Sequence, residues 1–183
     1  MTQPKGPGNR REPVDFIQAV GELLGDLAKL GHLPILVGGM ALVTLGSKRV
    51  TKDFDFLIDE EAREQDTFVQ AFYRRGFQLV SRIARNGDVV RTIDNQKMAS
   101  VRLRMDKPKS VYFYNHSLAL RVDLLFDFPV LAQGVRQRSA QKKIQSYSFR
   151  IACRADLIAM KEIAARDRKL SSDLQDLEFL KEE

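Results

Sequence analysis

A chain of 183 residues, 44% of them hydrophobic, can bury one ordinary core and carry at most a small helical appendage. Its single cysteine, Cys153, excludes an internal disulfide and points to a reducing compartment, and its run Ile151-Ala152-Cys153 reads as a buried structural thiol. The longest largely apolar run, Leu33 to Gly46, is too short to span a bilayer and holds three glycines, and the first residues lack a signal-peptide core, so the expectation is a soluble cytoplasmic protein with no membrane partner.

Residues 1–12 are rich in breakers and are expected to form a flexible tail, followed by a core over 13–153 and C-terminal helices packed on it over 154–183. Pro13 can open a helix. Phe16, Ile17, Val20, Leu23, Leu24, Leu27 and Leu30 then recur at helical spacing until Gly31 ends the pattern. Ile35 to Val37 reads as a buried strand, Gly39 to Leu45 as a helix after a glycine turn, Ser47 to Lys52 as a loop, and Phe54 to Ile58 as a second strand. Glu61 to Arg75 reads as an exposed helix with Phe68, Val69, Phe72 and Tyr73 inward, capped by Gly76. Short strands are expected over Phe77–Ala84, Asp88–Ile93, Ala99–Met105 and Val111–Tyr114, with Asn86-Gly87 as a hairpin turn. Leu120 to Phe126 is the next strand, Pro129 to Arg138 a short helix, and Lys143 to Cys153 one or two strands forming an edge hairpin. A helix capped by Asp156 is expected to run to Leu170. Ser171 or Ser172 starts another, with Ser172 and Gln175 as a capping box and Leu174, Leu177 and Leu180 as its apolar stripe. The fold class is α/β, or α+β by some conventions: a mixed sheet with helices on one face, plus the C-terminal helices.

The chemistry lies between Leu36 and Ile58. Strand period two puts Asp53 and Asp55 on one face and Phe54, Phe56 and Ile58 on the other. Two carboxylates about 7 Å apart with no local cation opposite are tolerable if a hard divalent cation joins them. Gly38-Gly39 lets backbone approach a ligand closely, and a helix N-terminus there favours phosphate. A phosphate cradle beside a carboxylate pair is what a nucleoside triphosphate requires. Lys48 and Arg49 either touch phosphates or hold the loop, and Thr51 is placed to cap the turn before the strand. On the later strand Arg121, Asp123 and Leu125 share a face, so Asp123 is either a third metal ligand or a structural acid paired with Arg121. Neither His32 nor His116 has zinc-ligand spacing, and neither a Gly-x-Ser-x-Gly elbow nor a Walker lysine loop is present.

Charge is unevenly placed around a net +6. Residues 74–109 hold ten Lys or Arg against three Asp, residues 129–155 hold six basic residues and no acid, and residues 53–66 hold seven acids and one Arg. A basic middle suits a polyanionic partner, RNA or a nucleotide, although such runs are equally often a solvated surface.

Gly38-Gly39, thirteen residues, then Asp53-Phe54-Asp55 resembles the signature of the nucleotidyltransferase superfamily, the fold of DNA polymerase β and of small antibiotic-modifying nucleotidyltransferases. The stretch Arg49-x-Thr51-x-Asp53-Phe54-Asp55 is similar to the bacterial branch that includes abortive-infection-type toxins of toxin–antitoxin pairs. Lys161 followed by Arg168, Asp173 and Asp176-Leu177 resembles that branch's C-terminal motif, with a wider gap between Arg168 and Asp173. The resemblance implies a third carboxylate on a later strand, which Asp123 matches by context, Asp127 at the strand end being the competitor. It implies two Mg²⁺ ions (Mn²⁺ being an alternative) about 3.5–4 Å apart on Asp53, Asp55 and Asp123, and an NTP bound by Gly38, Gly39, Lys48, Arg49, Thr51 and Lys161. The expected activity is transfer of a nucleoside monophosphate from an NTP to a hydroxyl of a small molecule, protein or RNA. RNA would bind through residues 74–109, and a cognate toxin or antitoxin is an expected partner. The alternative is a catalytically silent antitoxin or RNA-binding module, which would not need Asp53 and Asp55.

Overall fold

The computed structural model describes residues 15–59, 64–103, 109–168 and 171–182. The expected tail over 1–12, Pro13, the helix start at Glu61, the strand end at Met105 and the helix end at Leu170 lie outside them. Helix α1, Phe16–Lys29, is capped by the Asp15 carboxylate, which accepts from Gln18 N–H at 3.0 Å, and ends before Gly31 at φ +83°. Strand β1, Ile35–Val37, runs directly into α2, Gly38–Thr44, and then β2, Phe54–Ile58. Helix α3 spans Gln65–Arg74, with Phe68, Val69 and Phe72 buried and Tyr73 half-buried. Strands β3, Phe77–Ile83, and β4, Val89–Ile93, form the hairpin turned at Asn86-Gly87. Helix α4, Gln96–Arg102, precedes β5, Lys109–Asn115, and β6, Leu120–Phe126. Helix α5, Ala132–Arg138, leads to the hairpin of β7, Ala140–Ile144, and β8, Tyr147–Ile151, and α6, Arg154–Arg168, and α7, Ser171–Lys181, follow.

The strands form one mixed sheet in the order β4-β3-β5-β6-β2-β1-β8-β7. The β2/β6 and β1/β8 pairs are parallel and the others antiparallel, so the expected mixed α/β architecture is present. Alternation divides the faces. Phe54 and Phe56 stack at 6.3 Å, and Phe126 and Phe113 meet Phe68 and Phe72 of α3 at 6.1 and 3.9 Å. Helices α1 and α3 therefore cover the aromatic face, while α6 stands over the face carrying Asp55 and Asp123. Among the described residues no helix is long and apolar enough to cross a membrane.

Three local expectations are corrected. The segment from Ala99 is the helix α4, not a strand. The Asn95 side chain caps it by accepting from Met98 N–H at 3.0 Å, and Ala99 and Ser100 are its buried residues, whereas Val101 of the apparent apolar alternation is 78% exposed. Asp156 does not cap α6. The helix starts two residues earlier, and the Asp156 carboxylate instead accepts from Arg138 at 2.6 Å and from the half-buried Cys153 thiol at 3.1 Å. The apolar stripe expected on α7 holds at Leu180 and in part at Leu177 but fails at Leu174. Leu174 is 57% exposed, and Asp173, Asp176 and Leu180 are the buried positions.

Candidate active site

The pairing of β2 with β6 sets Asp55 directly beside Asp123 on neighbouring parallel strands, and Asp53 enters just before β2 on the same face. Strands lie about 4.8 Å apart, so the register alone crowds these carboxylates. On the other side of β6, Tyr112 of β5 is the register partner of Asp123. Beyond β2, Val37 of β1 pairs with Asp55, and the chain turns immediately at Gly38 with φ +62°. A side chain at Gly38 would place its Cβ 2.1 Å from Asp55 Oδ2, so glycine is required both by backbone conformation and by space. The Gly39 N–H donates to the Asp55 carboxylate, so this turn holds Asp55 as well as lining the cavity.

The cavity, about 560 Å³, opens over these strands and is roofed by α6. It is lined by Gly38, Gly39, Arg49, Thr51, Asp53, Asp55, Asp123 and Lys161, so eight of the nine sequence-derived site residues converge on it. Lys48 is the exception. It is exposed and outside the cavity, because the extended loop turns its neighbour Arg49 inward instead. Asp127, the competitor of Asp123, does not line the cavity either. Its carboxylate accepts from Ala132 N–H at 2.6 Å at the start of α5.

Burial and repulsion dominate the electrostatics of the carboxylates. Burial, then the neighbouring charge of Asp55, pushes Asp123 up to about 7. Asp55 is also raised, by burial first and by Asp53 second, against the opposing pull of Lys161, Arg121 and the Gly39 N–H. Arg121 answers this excess of negative charge. Its Nε donates to Asp123 Oδ1 at 2.7 Å, and its Nη2 donates to Asp123 Oδ2 at 3.0 Å and to Asp53 Oδ2 at 2.8 Å. Burial works against the charged guanidinium, but the three acids outweigh it and the Arg121 pKa moves up. Among the described residues no three His, Cys, Asp or Glu side chains already form a metal-ligand shell.

Across the cavity the polarity reverses. Lys161 Nζ on α6 pairs with Asp173 at 3.0 Å and Asp176 at 2.6 Å on α7, and Arg49 Nη1 also donates to Asp176. Asp176 thus ties α6, α7 and the loop before β2 together. Sequence reasoning placed Asp173 and Asp176 in a motif without a role. Their spacing of three, with Leu180 on the same face, was the available signal.

Solved structures with this architecture define the class. The solution structure of the antibiotic-resistance factor ANT(2'')-Ia matches with a TM-score of 0.57 at 10% identity, over 90% of this chain and 81% of that one. The lincosamide antibiotic adenylyltransferase LnuA, crystallised with lincomycin, matches at 0.53 and 10% identity over 90% and 96%. An antigenic nucleotidyltransferase-like protein from Paracoccidioides brasiliensis matches at 0.51 and 15% identity over 89% and 73%. At such identities the likeness is one of fold, and the fold is that of nucleotidyltransferases. Residues 22–183 further match the family described as nucleotidyl transferase AbiEii toxin, of type IV toxin–antitoxin systems, and the chain belongs to that family. No curated protein matches it by sequence.

Proposed function

We propose that this chain moves a nucleoside monophosphate from an NTP to an acceptor hydroxyl, using Asp53, Asp55 and Asp123 as its catalytic carboxylates. The observation that supports the reading most is the convergence of those three acids with the Gly38-Gly39 turn, Arg49 and Lys161 in one cavity. The donor set suits a hard divalent cation: three carboxylates, two of them with raised pKa, already recruit a stand-in cation in Arg121. Mg²⁺ held by Asp53, Asp55 and Asp123 would supply Lewis-acid polarisation of the triphosphate.

The chain's own residues do the rest. Gly38 and Gly39 make room for Asp55, Arg49 and Thr51 to pack against the turn that would border the triphosphate. Asp123 takes the acceptor's proton as the acceptor oxygen bonds to the α-phosphorus and the α–β phosphoanhydride bond breaks. Pyrophosphate leaves with its charge offset by Lys161 and Arg49. The acceptor class favoured is RNA. Within the basic segment Arg82, Arg91, Lys97 and Arg102 line one surface groove, with Asp94 as the sole acid among the described residues lining it, a cationic track suited to a phosphate backbone. The cognate antitoxin belongs to the family's description and would act in the same cell.

The test is incubation with each α-³²P-labelled NTP, Mg²⁺ and total RNA, alongside Asp55→Asn. Label transferred by the wild-type protein and cut about a thousandfold in the variant is expected, since several kcal/mol of transition-state stabilisation pass through these carboxylates. Transfer at the wild-type rate by Asp55→Asn would sink the mechanism. Growth arrest on expression, relieved by Asp55→Ala, is the cellular counterpart.

A further inference from the structure

Arg121 is held from every side. Beyond its three bonds to Asp53 and Asp123, its Nη1 donates to the Gly87 carbonyl at the tip of the β3–β4 hairpin at 3.0 Å, and its guanidinium carbon lies 5.5 Å from the centroid of the Tyr112 ring. Its side chain is 20% exposed and borders the cavity. Both oxygens of Asp123 and one of Asp53 are thereby engaged by a single cation. A carboxylate oxygen that accepts a short charge-assisted bond from a guanidinium cannot at the same time turn that lone pair to a metal, and two cations sharing one pair of acids repel.

We infer that Arg121 is an exchangeable internal counter-ion: in the metal-free protein it occupies Asp53 and Asp123, and a divalent cation binds by displacing it. This rests on the carboxylate-metal reading above and adds to it the residue that sets metal affinity. Displacement leaves Arg121 anchored by the two partners that are not acids, the Gly87 carbonyl and the Tyr112 ring. Arg121 is in this sense a positioning residue. It keeps three crowded carboxylates together until the metal arrives, and the cost of removing it subtracts from the metal's apparent affinity.

The inference is tested by Mn²⁺ binding, followed through the electron paramagnetic resonance of the free ion, for wild type, Arg121→Gln and Asp55→Ala. Arg121→Gln keeps a hydrogen-bonding amide but no charge. It is expected to bind Mn²⁺ about tenfold more tightly than wild type, to melt at lower temperature without metal, and to gain more from added Mn²⁺. Equal or weaker binding by Arg121→Gln overturns the exchange while leaving the metal site standing. Absence of binding by wild type and Arg121→Gln alike removes both readings. A second measurement uses only the wild-type protein. The Arg121 Nε–H, protected by Asp123, should exchange with solvent about tenfold faster at saturating Mg²⁺. Unchanged protection would show that Arg121 stays in place and would overturn the inference.

Discussion

The two walls of the cavity solve one electrostatic problem with opposite signs. On the sheet wall three acids gather around one guanidinium. On the helical wall two cations, Lys161 and Arg49, gather around the carboxylates of Asp173 and Asp176. Each wall carries its own counter-charge, so a ligand must exchange partners rather than fill a void. The walls differ in how they are built. The sheet wall is assembled from residues two apart on paired strands, and the Asp53 side chain remains 41% exposed. The helical wall joins Arg49 to Asp176 across 127 residues, with both α7 acids 5–6% exposed. Exchange is thus easier at the sheet, and rigidity is concentrated in the helices.

The comparison can be broken most severely at Asp176. Asp176→Ala leaves Lys161 and Arg49 short of their shared acid, and it should cost about 3 kcal/mol of stability, read by chemical denaturation. A change within 0.5 kcal/mol, the range of ordinary surface substitutions, would show that the helical wall is not the rigid one. Gly38→Ala should cost about 2 kcal/mol and weaken Mn²⁺ binding, because a methyl group there drives into Asp55 while the backbone stays left-handed. Unaltered metal affinity in a folded Gly38→Ala protein would separate the turn from the carboxylate.

The pH dependence of stability sharpens the contrast. Asp123 sits at about 7 in the fold against its ordinary 3.8, so between those values the folded protein holds a proton that the unfolded chain has lost. The metal-free protein should therefore lose stability as pH rises from about 4 to about 7, and Asp123→Asn should flatten that slope in a series of thermal melts. In the first turn of α6 the Asp156 carboxyl is desolvated, but Arg138 and the Cys153 thiol hold it below the usual range. Its contribution has the opposite sign, being lost only as pH falls below about 4. The smallest effect is expected at Lys48, exposed and outside the cavity. Lys48→Ala should leave stability within about 0.5 kcal/mol and nucleotide binding unchanged by calorimetry.

The sheet wall was readable in the sequence because strand alternation and one glycine turn suffice to define it. β6 begins and ends at the residues expected, and Asp123 faces Asp55 as its period-two pattern required. The helical wall was not readable, since the partner of Lys161 is chosen by packing. Leu174, Leu177 and Leu180 offered a cleaner stripe on paper than Asp173 and Asp176, yet burial of the acids is tolerated because each meets a cation. Arg121 was visible as a possible neutraliser of Asp123, but its bond to Asp53 depends on a neighbouring strand that no local pattern specifies. The error at α4 has the same origin: short-range alternation around Val101 competed with a cap at Asn95, and the cap prevailed.

The bond between Arg49 and Asp176 also sets a clock. Protein synthesis adds roughly 5–20 residues per second, so the 127 residues between these partners take about 6–25 s to make. Throughout that interval Arg49 has no Asp176 to hold it, and in its last part, once Asp123 has been added, the nascent chain possesses its three acids and its glycine turn but lacks α7. A member of a toxin family built this way stays unfinished on the ribosome, and its cavity closes only after α7 has emerged.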